Sequence, residues 1–163
     1  MRVIRAIPLF IFVIAALLLS PLASAQDHAQ ELAITRLVIE TGDGPKTFNV
    51  EFASTSDERR VGLMYRTEMA DDHGMIFSYS KSRVISMWMK NTFIPLDIIF
   101  IRRNGQIANT VENTTPGSLD SIVSQGRVIG VLELNAGTVE SLGIERGDLV
   151  RHEMFSNMTD VPE

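Results

Sequence analysis

Between residues 32 and 155 the chain alternates apolar and polar positions in short runs, and β-branched residues dominate those runs. A period of two, broken by Gly, Asn, Asp and Pro, predicts strands and turns rather than helices. "LAITRLVIET" and "KTFNVEFAS" flank "GDGP", which predicts a first hairpin with Phe48, Val50 and Phe52 on one face. "TSDERRVGLMYR" departs from that period. Thr55 with Glu58 three residues on has the form of a capping box, so a short helix is expected from about Ser56 to Tyr65. Gly62 inside it costs about 1 kcal/mol relative to Ala unless something packs close there.

"DDHG" turns the chain into a further strand, "MIFSYS", and the tract "ISMWMKNTFIPLDIIFI" follows at residues 85–101. Asn104-Gly105 is a pair suited to a two-residue type I′ hairpin loop. Counting outward from such a loop sets Ile101 against Ala108, Ile99 against Thr110 and Asp97 against Glu112. "GRVIGVLELNAG" reads as a mostly buried strand; Asn135 is placed to cap a brief helix that Gly143 ends in the left-handed conformation. "LVRHEMF" is the last strand. Some eight strands and two short helices predict a mainly β (α+β) fold, a compact antiparallel barrel or sandwich.

The N-terminus obeys a different pattern. Arg2 and Arg5 precede an apolar run from Ile7 to Leu19, then Pro21 and "ASA", which has the three parts of an export signal cleaved after Ala25. The run is shorter than the roughly 20 residues of a membrane-spanning helix, and no cysteine follows it to carry a lipid. Residues 1–25 are thus expected to be a signal peptide, 26–31 a flexible segment, 32–155 one domain and 156–163 a flexible tail. The expected location is the periplasm or the exterior, without stable membrane insertion after cleavage. Cysteine is absent throughout, so stability has to come from a hydrophobic core and not from disulfides.

Charge narrows the partners. The 15 Lys and Arg against 20 Asp and Glu give a net charge of -5, and loss of Arg2 and Arg5 with the signal would take it to -7. Such a balance argues against nucleic acid and anionic membrane surfaces. There is no G-x-S-x-G elbow, no phosphate-cradling glycine loop and no cysteine nucleophile, and nothing calls for a cofactor.

"GLMYR" at 62–66, "HGMIF" at 73–77, "MWMKNTFIPLDIIF" at 87–100, "VLELNAG" at 131–137 and Gly147-Asp148 occur in an order and at intervals that closely resemble one family. It comprises the bacterial and archaeal proteins grouped as domain-of-unknown-function family 192. The resemblance covers about Phe48 to Met154. It implies a small, mostly β fold, often exported, with no established activity.

Chemistry has therefore to be argued from side chains. Alternation along "VISMWMK" sets Ile85, Met87 and Met89 on a core face and Trp88 and Lys90 on the other, where an indole platform beside an ammonium suits sugars and small anions. Asn91, Thr92 and Pro95 fit a structured bend. Asp97, in an apolar strand, requires a partner, and Arg66 or Lys90 is available for an ion pair. Glu112 opposite Asp97 would instead make a carboxylate pair, acid/base or cation-bridged.

Glu133 shares one strand face with Val131 and Asn135. If that face meets the Asp97 region, Arg66, Trp88, Lys90, Asn91, Asp97 and Glu133 form one ligand site. The leading expectation is then an exported domain that binds a small polar ligand, a carbohydrate or cell-envelope fragment. A hydrolase using Asp97 with Glu133 or Glu112 is the first alternative. A structural or interaction role is the second, and Cu(I) binding through Met87 and Met89 the last.

Overall fold

The computed structural model describes residues 28–158, so the expected signal peptide lies outside the described residues. Nine strands follow one another: β1 (Ile34–Thr41), β2 (Gly44–Ala53), β3 (His73–Arg83), β4 (Ser86–Met87), β5 (Leu96–Ile101), β6 (Ile107–Val111), β7 (Ile122–Val123), β8 (Val128–Asn135) and β9 (Leu149–Arg151). Helix α1 (Ser56–Val61) joins β2 to β3, and α2 (Thr138–Ser141) lies between β8 and β9. The architecture is the mainly β fold with two short helices that the alternation predicts. No helix among the described residues is long and apolar enough to cross a membrane.

Seven strands form one sheet in the order β6-β5-β8-β3-β2-β1-β9, while β4 and β7 pair separately. The large sheet curls until its edges touch: Gln106 bridges Leu149, and the Val150 amide donates to the Gly105 carbonyl at 2.9 Å. Gly105 has a φ of 85°, and a Cβ there would lie 2.6 Å from the Val150 carbonyl oxygen, so only glycine allows this approach. One pairing departs from the antiparallel rule. β2 and β3 run parallel, because α1 and the segment 62–72 carry the chain back before β3 begins.

The sheet has apolar residues on both faces. Its concave side buries Leu37, Ile39, Phe48, Val50, Ile76, Ile99, Leu132 and Leu134 with Val139 of α2, and Phe52 packs partly against them, as the first hairpin predicts. On the convex side Met75, Phe77, Ile98, Phe100 and Val131 are buried under Leu63, Ile85 and Met89, contributed by the segments after α1 and around β4. Each such side chain contributes roughly 1.5–3 kcal/mol of burial, which is how a chain without cysteine stays folded.

Several local expectations change in an instructive way. The capping box of Thr55 and Glu58 is present, but α1 ends at Val61 because Gly62 takes a φ of 52°; a Cβ there would stand 3.2 Å from the Phe77 ring. The β5–β6 connection is not a two-residue loop. Arg103, Asn104 and Gly105 form it: the Arg102 amide donates to the Gln106 carbonyl, and Gly105 alone has positive φ. That extra residue shifts Ile101 onto Ile107 instead of Ala108, and a bulge at Ala108 restores the predicted Ile99–Thr110 pairing.

Asn135 does not cap α2; its side chain donates to the carbonyls of Met69 and Ala70, and the cap position is Gly137. Gly143 does take the expected left-handed conformation, with a φ of 62°. Both segments that composition marks as loose are tied down where they are described. Gln30 donates to the carbonyls of Glu58 and Gly62, and Asn157 exchanges bonds with Val150 and His152.

Candidate functional site

Register decides which of the sequence-predicted site residues meet. Across β5 and β8, Asp97 stands opposite Leu134 and Ile98 opposite Glu133. Side chains directly opposite share a face, so Asp97 points to the concave side with Leu134, and Glu133 to the convex side with Ile98. The two carboxyls therefore lie on opposite faces of the sheet, which removes the expected Asp97–Glu133 pair. Glu112 is no partner either. The ladder ends at Ile98–Val111, and Glu112 beyond it is exposed while Asp97 is 0 % exposed.

Asp97 also lacks the ion pair expected with Arg66 or Lys90. Its Oδ1 accepts from the Asn113 amide and its Oδ2 from the Val139 amide, each at 2.9 Å. Val139 is the second residue of α2, whose cap Gly137 has no side chain, so a strand carboxylate takes the role a cap side chain usually fills. Arg66 is engaged elsewhere: its Nη2 lies 2.6 Å from Oε1 of Glu51 and donates to the Gln30 carbonyl. Glu51 is buried on the convex face of β2 and also accepts from the Leu32 amide. Arg66 is a clasp between the N-terminal segment and the sheet.

Asn91 is a second clasp. It has a φ of 54°, donates from Nδ2 to the Tyr65 hydroxyl at 2.8 Å, and accepts the Tyr65 amide at its carbonyl. Thr92 closes the same turn through its amide to the Met89 carbonyl, and Pro95 stands just before β5, a strand-start position a proline tolerates. The bend expected from "KNTFIP" is present. Met87 and Met89 share no ligand geometry: Met87 Sδ accepts from the Tyr79 hydroxyl, whereas Met89 Sδ accepts from Thr114 in the core.

Glu133 and Trp88 are brought together. Both line a cleft of about 130 Å³ between α1 with the turn after it and the β4 segment; Arg59, Tyr79, Met87 and Thr92 line it too. Glu133 is 4 % exposed and has no hydrogen bond or ion pair among the described residues. Burial among Met75, Ile98 and Val131 pushes its pKa up to about 8, so it stands protonated at neutral pH, a donor as well as an acceptor. Trp88 is 49 % exposed at the rim, with the Lys90 ammonium 5.4 Å from its ring centroid. Burial also pushes the Tyr79 hydroxyl up, against the pull of Arg59 and Arg83.

Of the six residues expected in one concavity, the cleft thus holds Trp88 and Glu133, with Lys90 beside it; Arg66, Asn91 and Asp97 do structural work elsewhere. Arg59, Tyr79 and Met87 were not anticipated in this role. Tyr79 was within reach, because alternation from Met75 through Phe77 places it on the convex face. Arg59 was not, since on a six-residue helix any face may turn to solvent.

Comparison with known proteins follows the same division between fold and function. Among curated proteins none matches the chain significantly. A crystal structure from Sinorhizobium meliloti 1021, provisionally named a transcription regulator, is 42% identical over 78% of this chain and 99% of that one, with a TM-score of 0.74. A protein of unknown function from Novosphingobium aromaticivorans DSM 12444 is 38% identical over 74% of this chain and 86% of that one, with a TM-score of 0.73. The family model described as "Uncharacterized ACR" matches residues 37–152, and on that span the chain belongs to the DUF192 family.

Proposed function

We propose that the protein is an exported domain that binds a small polar ligand, a carbohydrate or cell-envelope fragment, in the cleft between α1 and β4. The observation that carries this reading is the juxtaposition of Glu133, a buried and unpartnered carboxyl at the floor, with Trp88, a half-exposed indole at the rim. Burying a carboxyl without a partner costs several kcal/mol, a cost that packing alone does not require. A protonated carboxyl donates to a sugar hydroxyl and accepts from another, while an indole face covers the apolar side of a pyranose ring. The N-terminal signal pattern supports a place outside the cytoplasm.

Binding is favoured over hydrolysis because a glycosidase needs two carboxyls across one substrate, and Glu133 is the sole carboxyl lining this cleft among the described residues. The test is a titration of neutral monosaccharides and peptidoglycan fragments, followed by two-dimensional NMR and by emission of Trp88, the single tryptophan of the chain. Shifts confined to the cleft, abolished in Trp88→Ala and weakened in Glu133→Gln, are expected. Absence of any shift at millimolar ligand overturns the reading.

A further inference from the structure

Next to the cleft, β3 loses its register with β8. Ser78 pairs with Gly130 and Arg83 with Val128, so the four residues from Tyr79 to Ser82 oppose Ile129 alone. A bulge of that size throws strand side chains out of alternation. Here it places Lys81 and Arg83 around a hollow of about 360 Å³ together with Arg59, Tyr79 and Arg127. Four cations surround this hollow, and no carboxylate lines it.

The three arginines are held but not neutralised. Arg59 donates to the carbonyls of Ser54 and Ser78, and Arg127 to that of Ser82. The guanidinium carbons of Arg59 and Arg83 stand 4.9 and 5.0 Å from the centroid of the Tyr79 ring. Among the described residues none of the four forms an ion pair, although the chain as a whole carries a charge of -5. Like charges gathered without a counter-charge repel, and in an acidic protein carboxylates to relieve them are plentiful. Backbone acceptors and a ring face fix guanidinium planes and leave their remaining N–H groups for a fork-shaped acceptor.

We infer that the hollow is an oxyanion subsite, which takes a phosphate or carboxylate group of the ligand whose neutral part lies against Trp88 and Glu133. Arg59 and Tyr79 line both cavities, so the two are adjacent and one ligand can span them. The ligand class is therefore an acidic saccharide, a sugar phosphate or a uronate. This identification rests on the reading of the cleft given above. The anion subsite itself does not.

The experiment measures the full chain against glucose, glucose 6-phosphate, glucuronate, inorganic phosphate and a random-sequence DNA duplex, with Arg83→Gln/Arg127→Gln beside wild type. Both positions are exposed, and circular dichroism verifies the fold of the variant. At least one acidic sugar is expected to bind about tenfold more tightly than glucose, an advantage that charge-assisted hydrogen bonds of about 1.5 kcal/mol supply. That advantage disappears in the double variant and at high salt, while the affinity for glucose is unchanged. Phosphate against glucuronate identifies the preferred oxyanion.

Glucose binding with no gain from either anion sinks the subsite and leaves the cleft reading standing. Phosphate binding lost in the double variant, with no sugar perturbing Trp88, keeps the subsite and sinks the cleft reading. Duplex binding tighter than that of every small anion, lost in the same variant, overturns the proposal in favour of nucleic acid.

Discussion

Asp97 in β5 accepts the amide of Val139 in α2 at 2.9 Å, 42 positions along the chain. With the Asn113 amide on its other oxygen, this carboxylate fastens both the helix start and the exit from β6. Asn at position 97 would keep one acceptor and aim an NH₂ group at the other amide. Asp97→Asn is expected to lower unfolding stability in urea by about 2–4 kcal/mol, with faster amide exchange at Val139. Wild-type stability in that variant would refute the structural assignment.

Glu133 makes folding depend on pH. Its carboxyl titrates near 8 in the folded chain and near 4.5 when unfolded. Between those values the folded state holds a proton that the unfolded state has lost, so its contribution is fully present below about 4.5 and is lost as pH rises through about 8. One proton changes stability by at most about 1.4 kcal/mol per pH unit. Glu133→Gln is expected to remove this slope and to be more stable than wild type at pH 9, measured by urea unfolding across pH 5–9. Parallel curves for the two proteins would exclude an ionisable group there.

His152 contributes with the opposite sign. It is buried, its Nδ1 accepts the Met154 amide, and its Nε2 lies 2.8 Å from the Thr35 hydroxyl, an arrangement for the neutral ring. Burial holds its pKa below 6.5. Stability is full above 6.5 and is lost as pH falls from there, because the unfolded chain takes the proton first. His152→Gln is expected to flatten the acid side of the stability profile and leave intact the fall with rising pH due to Glu133.

The contrast between Asp97 and Glu133 shows where the sequence was legible. Period two placed Glu133 and Val131 on one face against Leu132 and Leu134, because a strand enforces alternation. Counting from Asn104-Gly105 also returned Ile99 opposite Thr110, but only because the bulge at Ala108 offsets the extra loop residue. The pattern did not say that Asp97 would find two backbone amides instead of a cation, because those amides come from segments 16 and 42 residues away, placed by tertiary packing. Arg66 and Glu51 were no easier, as their pairing follows from the parallel β2–β3 crossover. The basic hollow was invisible for another reason: the bulge that builds it breaks the periodicity on which the reading depended.

Trp88 offers a direct view of the cleft. As it is half-exposed at the rim, Trp88→Ala is expected to change stability by no more than about 0.5 kcal/mol. In wild type its emission should show a transition near pH 8 as Glu133 ionises below it, and Glu133→Gln should abolish that transition while the protein stays folded. An emission profile identical in the two proteins would separate Trp88 from Glu133 and remove the basis of the proposed site.

The Arg66–Glu51 pair distinguishes structure from binding most sharply. The guanidinium and carboxylate lie 2.6 Å apart with side chains 16% and 7% exposed, and each holds a group of the N-terminal segment: Arg66 the Gln30 carbonyl, Glu51 the Leu32 amide. Removing one partner of such a pair strands the other charge, so Arg66→Met and Glu51→Gln singly should each cost about 3–5 kcal/mol. The double variant should cost less than the two singles together, since no stranded charge is left. A thermal-denaturation cycle measures this coupling, and sugar titration of the double variant should give the affinity of wild type. Additive losses would contradict the pair, and lost sugar affinity in a folded double variant would return Arg66 to the ligand site.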